Sequence, residues 1–170
     1  GGNHTVSIGS VKAFAEKYRD LSVLQLDAHS DLRQEYEGSK FNHACAMARI
    51  SEMATAVQVG IRSVSAEELP FIDRERIFYA HDLWYKKEKY GKAADKLSEN
   101  VYVTIDLDVF DPSIMPSTGT PEPGGLHYYD LMHFLRDVAV KKNIVGFDVV
   151  ELCPSASNKS PDFIAAKVIY

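Results

Sequence analysis

A chain of 170 residues, 45% hydrophobic and 25% charged, holds enough apolar material for one globular domain with a sizeable buried core. A net charge of -5 and a pI near 5.7 argue against a nucleic-acid surface, which needs clustered Lys and Arg. No apolar run approaches the roughly 20 residues that cross a bilayer, and no charged-then-apolar leader opens the chain, so it reads as cytoplasmic with neither nucleic acid nor membrane as partner.

The chain opens on Gly1-Gly2-Asn3-His4-Thr5, with no initiator methionine and no element ahead of the glycine pair. Val11, Phe14, Ala15 and Tyr18 then recur at helical spacing, which predicts an amphipathic helix over 8–19. Buried strands are expected at 22–26, 56–60, 76–79, 101–105 and 143–147, and helices at 43–53, 66–72, 84–98 and 128–141. Strands alternating with helices indicate crossover units and a parallel sheet covered on both faces, an α/β architecture. The Pro/Gly-rich run from Pro112 to Gly125 follows a strand directly and is expected to be an ordered, site-building loop. The far end, from Phe163 to Tyr170, is largely apolar without a terminator, so both ends read as cut from a longer chain. Cys45 and Cys153 match no metal or redox spacing and are expected to be reduced core thiols.

Three strand ends finish in acidic residues, the edge where open parallel sheets place their ligands. After the first comes Leu26-Asp27-Ala28-His29-Ser30-Asp31. In an extended chain Asp27, His29 and Asp31 point to one side. Carboxylates and an imidazole converging there call for a cation, although an acidic turn with a capping aspartate fits this segment as well. A second cluster, Asp106-Leu107-Asp108-Val109-Phe110-Asp111-Pro112, also ends an apolar strand with carboxylates at alternate positions; Asp111, before Pro112, reads as a turn former. With His4 the two clusters supply six candidate ligands, too many for one ion that must keep open positions. Oxygen and imidazole donors without thiolates suit Mn²⁺, with Mg²⁺, Co²⁺ or Zn²⁺ as lesser alternatives. Two ions about 3.5–4 Å apart can share a bridging hydroxide, a strong nucleophile at neutral pH.

Asp27-Ala28-His29-Ser30-Asp31 resembles the Asp-Ala-His-x-Asp element of the ureohydrolases, the arginase and agmatinase family. Asp106 to Pro112, followed by Ser117-Thr118-Gly119-Thr120-Pro121-Glu122-Pro123-Gly124-Gly125, is similar to that family's second long element, and Gly1 to Thr5 to its Gly-Gly-acid-His-Ser/Thr element. The resemblance spans the chain. It implies a three-layer α/β/α fold of the arginase/deacetylase kind, a single catalytic domain over residues 1–170 that is partial at both ends, two Mn²⁺ ions, and hydrolysis of a guanidino group to urea and an amine. His4 and Asp31 would complete one metal site, and His29 and Asp108 the other. Asp27 and Asp106 would bridge, and Asp31 would also orient the bridging hydroxide. His43 would stand beside the substrate and relay a proton to the leaving amine; without the family, it could equally be a surface or capping residue. Glu151, at the third acidic strand end, would grip the guanidinium through paired hydrogen bonds, against the plainer reading of a strand-end carboxylate paired with a nearby base. Asp148 would support the site from behind.

Thr120 to Gly125 and Gly60-Ile61-Arg62-Ser63 look like the agmatinase branch, which makes agmatine the first expected substrate, putrescine its amine product and polyamine biosynthesis its setting. An aminopropylated agmatine and guanidinobutyrate are rivals within the family. A zinc deacetylase of the same fold, or a non-catalytic metal-binding relative, are rivals outside it. Asn3 stands where the family has an acid, which is expected to weaken a metal site without abolishing it. Arg33, Glu35 and Glu37 could line the mouth of the pocket or form a solvated loop. His81, His127 and His133 read as structural or surface groups. Relatives assemble as trimers or hexamers, so a homo-oligomer is implied by resemblance alone.

Overall fold

Five strands of apolar, β-branched sequence pair in one parallel sheet, described over residues 1–170 in a computed structural model. In chain order the elements are α1 (Val6–Lys17), β1 (Leu21–Leu26), α2 (Ala46–Ile50), β2 (Thr55–Ile61), β3 (Ile77–Tyr79), α3 (Ala80–Tyr85), α4 (Glu88–Asp95), β4 (Asn100–Asp106), α5 (Tyr128–Lys141), β5 (Asn143–Val150) and α6 (Ser160–Ile169). The sheet order is β3-β2-β1-β4-β5, so β1 is central and all six of its residues are buried.

Side chains alternate across the pleat, and that alternation divides the core. On one face Leu24, Leu26, Val101, Val103 and Ile105 pack with Leu83 of α3, Ala93 of α4, Phe134 of α5 and Ala165 of α6. On the other, Leu21, Val23 and Tyr102 pack with Val11 of α1 and with Met47 and Ile50 of α2. Helices on both faces of one sheet make the three-layer α/β/α architecture. No helix is long and apolar enough to cross a membrane.

Three helical expectations change. The segment 43–53 is a 3₁₀ turn, His43–Cys45, running into the short α2. The segment 66–72 keeps only the 3₁₀ turn Leu69–Phe71: Pro70 has no amide proton to donate, and the Glu68 carboxylate is engaged elsewhere. The segment 84–98 splits into α3 and α4, because Lys86 leaves helical backbone at φ -132° and ψ 76°. The apolar far end, given no element from sequence, is α6, with Pro161 in its first turn and Lys167 in its last. Cys45 is buried as expected. Cys153 is not: it lies past β5 in the loop before α6 and is exposed.

Parallel register places the site. Leu26 of β1 pairs with Ile105 of β4, so the chain leaves both strands at one level and delivers Asp27 beside Asp106. On the other side of β1, β2 carries a bulge between Val59 and Ile61. Gly60 sits there at φ +97°, where a Cβ would lie 2.8 Å from Val109 Cγ2 and 3.1 Å from the Asp27 carbonyl oxygen. Only glycine lets β2 pass this close behind the two acidic turns.

Candidate metal centre

Asp27 to Asp31 is a turn, not a continuing strand. The Asp27 Oδ1 accepts the His29 amide at 2.7 Å, and Asp31 adopts left-handed backbone at φ 51°. Asp31 thus reaches the cluster through a backbone conformation that costs an aspartate of order 1 kcal/mol or more. The second cluster turns likewise: Asp106 ends β4, accepts the Asp108 amide at 2.9 Å, and starts the 3₁₀ turn Leu107–Val109. Asp108 in turn accepts the Ala28 amide at 3.0 Å, locking the two turns together. The convergence predicted from period-two alternation is present, produced by two side-chain-capped turns.

His4 enters from the segment leading into α1 and is buried. Its Nδ1 lies 3.0 Å from Asp31 Oδ2, 3.2 Å from Asp27 Oδ2 and 3.5 Å from Asp106 Oδ2. None of these has hydrogen-bond geometry, so Nδ1 is a buried ring nitrogen without a partner. The other nitrogen explains why. Nε2 is 2.9 Å from Thr104 Oγ1, and that hydroxyl donates to Asp148 Oδ1 at 2.7 Å. Asp148, a carboxylate, also accepts from Tyr102 at 2.8 Å. Having donated its only proton, the hydroxyl accepts from His4 Nε2, which in the neutral ring leaves Nδ1 a lone pair aimed at three carboxylate oxygens. A cation resolves that arrangement.

His29 Nδ1 lies 2.9 Å from Asp108 Oδ2 and 3.7 Å from Asp27 Oδ1, while its Nε2 faces Glu122 at 3.9 Å. Two ligand groups result: His4, Asp27 and Asp31, and then Asp27, His29 and Asp108, each with donor atoms within 4.8 Å of one another. Asp27 belongs to both, and Asp106 abuts the first. Nitrogen and carboxylate donors in this number fit divalent first-row ions.

The electrostatics agree with that fit. Burial and the Asp27 charge push Asp31 up to about 7, and together they raise Asp106 well above the ordinary carboxyl range and raise Asp108. Burial opposes the Asp27 charge too, but the imidazoles of His29 and His4 hold its pKa low. Burial lowers His29 and is outweighed by Asp108 and Asp27, which carry it to about 11; His4 is likewise raised, by Asp106, Asp27 and Asp31. Without a metal the cluster fills with protons, and cations replace them on binding.

Buried polar side chains that the sequence reading passed over support these turns. Gln25 donates to Asp27 Oδ2 at 2.7 Å and to the His29 carbonyl at 3.1 Å. Gln58, its register partner on β2, donates to Gln25 at 2.6 Å and to the Ser30 carbonyl at 2.7 Å. The Arg62 guanidinium donates to the carbonyls of Asp108, Phe110 and Glu122, which ties the second turn to the 112–125 loop. A polar residue inside an apolar strand was the one available clue to Gln25, Gln58 and Thr104.

The cluster floors a cleft of about 410 Å³. Glu151 lines it at φ 64°, with Oε1 accepting the His4 amide at 2.5 Å. His43 stands exposed on the rim, 3.5 Å from Asn3 Nδ2 and edge-on to Tyr36. Asn3 therefore meets His43 and, through Oδ1, the Thr5 amide; it is not in the ligand groups. Arg33 lines the cleft, and Glu35 and Glu37 do not. His81 is exposed, and His127 and His133 sit on or beside α5.

Residues 1–170, the whole chain, match the arginase family. An agmatinase of Pyrococcus horikoshii is 39% identical over all of this chain and 59% of its own length. An N(1)-aminopropylagmatine ureohydrolase of Thermococcus kodakarensis is 37% identical over all of this chain and 58% of its own. Among solved structures, the agmatine ureohydrolase of Thermoplasma volcanium superposes with a TM-score of 0.87 at 35% identity, covering 99% of this chain and 58% of that one. An arginase from Medicago truncatula gives 0.82 at 32%, covering 99% and 56%. The chain spans about three-fifths of the length of the curated relatives it matches.

Proposed function

The chain belongs to the arginase family, and we propose that it carries the active site of a two-metal hydrolase that cleaves the guanidino C–N bond of agmatine, releasing urea and putrescine. The observation that carries this reading is the buried His4 Nδ1 facing three carboxylates, in a ligand group that shares Asp27 with a second one. His4, Asp27, Asp31 and Asp106 would hold one ion, and Asp27, His29, Asp106 and Asp108 the other, with Mn²⁺ the best match to this donor set. When bound there, two such ions would supply Lewis acidity and lower the pKa of water toward neutrality.

The chain's own residues do the rest. Asp31 would orient the attacking water and accept the proton it gives up. Glu151 spends one carboxylate oxygen on the His4 amide and offers the other to the guanidinium in the cleft. Water adds to the guanidino carbon, the amine nitrogen gains a proton by way of His43 at the rim, and the C–N bond breaks. A substrate carrying an aminopropyl extension presents the same guanidino end. It is the second reading, favoured by the name of the Thermococcus relative.

Urea is the product to measure. Protein loaded with Mn²⁺ is expected to release urea from agmatine or N(1)-aminopropylagmatine, and Asp106→Asn to lower the rate by at least about 100-fold. Acetate release from an acetylated amine, with no urea from any guanidino compound, would overturn the reading.

A further inference from the structure

Away from the metal cluster, behind the 112–125 loop, lies a second cavity of about 370 Å³. Its walls are Trp84 and Tyr85 at the end of α3, Tyr90 of α4, and Asp130 in the first turn of α5, and the Asp111, Gly124 and Gly125 turn also lines it. Lys87 occupies it in a particular way. Its Nζ lies 5.6 Å from the Trp84 ring centroid, 5.7 Å from that of Tyr90 and 2.7 Å from Asp130 Oδ1. Two aromatic faces and a carboxylate around an ammonium are the recognition chemistry of an alkylammonium ligand. Here the chain supplies that ammonium itself, from a side chain that is 55% exposed and free to swing away. Two carboxylates, Asp111 and Asp130, line the cavity against the single ammonium of Lys87, so it carries an excess of negative charge from its carboxylates and lysine.

We propose that this cavity is a second, non-catalytic site for an aliphatic amine, in which the ligand's ammonium displaces that of Lys87 from Trp84, Tyr90 and Asp130. Linking the ligand to the amine released in the catalytic cleft rests on the function proposed above; the recognition chemistry of the cavity does not. Asp111 accepts the Gly124 and Gly125 amides at 2.9 and 3.1 Å, and so connects this cavity to the loop whose Gly119 and Thr120 line the cleft.

Trp84 is the only tryptophan in the chain, so its fluorescence reports occupancy directly. With 1,4-diaminobutane as the probe, we expect a saturable change in Trp84 emission that 1,4-butanediol does not produce. Lys87→Met removes the internal competitor and should tighten binding about three- to tenfold, whereas Asp130→Asn should weaken it by about fivefold or more. The response should persist in Asp106→Asn, which separates this site from the metal cleft and its outcome from that of the urea assay. Absence of a saturable response, weaker binding in Lys87→Met, or loss of the response in Asp106→Asn would each overturn the proposal.

Discussion

At the scale of single residues, the site depends on groups that hold ligands as much as on the ligands. Thr104 shows this best: one hydroxyl receives the His4 ring proton and passes its own to Asp148. Thr104→Val keeps the shape and removes both bonds, together with the one to Ser7 Oγ at 3.2 Å. It should cost about 1–3 kcal/mol of stability, because His4 Nε2 is left buried without an acceptor. Under the proposed function it should also weaken metal binding at the His4 site roughly 10–100-fold, with Thr104→Ser restoring both; denaturant unfolding and a metal titration read the two effects. Lowered stability with unchanged metal affinity would make Thr104 a packing residue alone. Asp27, His29, Asp31, Asp106 and Asp108 were legible from their alternate spacing, whereas the roles expected of His4, His43 and Glu151 came from the family resemblance. The left-handed backbone of Asp31 and Glu151 was not legible, since it follows from contacts with distant segments such as the Gly2 carbonyl that accepts the Glu151 amide.

At the scale of elements, strands were easier to read than helices. The five apolar runs fall within a few residues of β1 to β5; burial on both faces explains the apolar signature of β1 and β4, whereas β5, expected to be buried, is an edge strand with only Val150 buried and Phe147 exposed. Residues 66–72 look helical by pattern, yet Glu68 there serves as a buried staple. It accepts Ser30 Oγ at 2.6 Å, the Leu32 amide at 2.8 Å, and the Ser65 amide and hydroxyl at 2.7 Å each, fastening the turn after β1 to the turn after β2. Burial raises its pKa, but these donors outweigh it and hold the value below the ordinary 4.5. A carboxylate with a depressed pKa adds stability above its unfolded value, and loses it as pH falls through the folded one. Glu68→Gln should therefore be less stable than the parent by about 1–3 kcal/mol at neutral pH. The difference should hold down to the ordinary carboxyl range and shrink below it. A gap that stays constant into acid would show that the charge of Glu68 contributes nothing.

At the scale of the whole molecule, the fold's contribution is adjacency. Helix-strand alternation indicated a parallel sheet, but it carries no information on which strands neighbour which. The order β3-β2-β1-β4-β5 sets the two acidic strand ends side by side at the centre of the sheet, although they are far apart in the chain. The start of α1 then brings His4 across them, and β5 brings Glu151 to the His4 amide. A cluster of six candidate ligands, with Asp27 common to both groups, follows from that order. The direct test is to titrate Mn²⁺ into metal-free protein and count the ions bound per chain by calorimetry, with Asp27→Asn alongside. Two ions per chain are expected, both of them weakened by the one substitution. A single ion per chain, or two ions indifferent to Asp27→Asn, would contradict a shared two-metal centre.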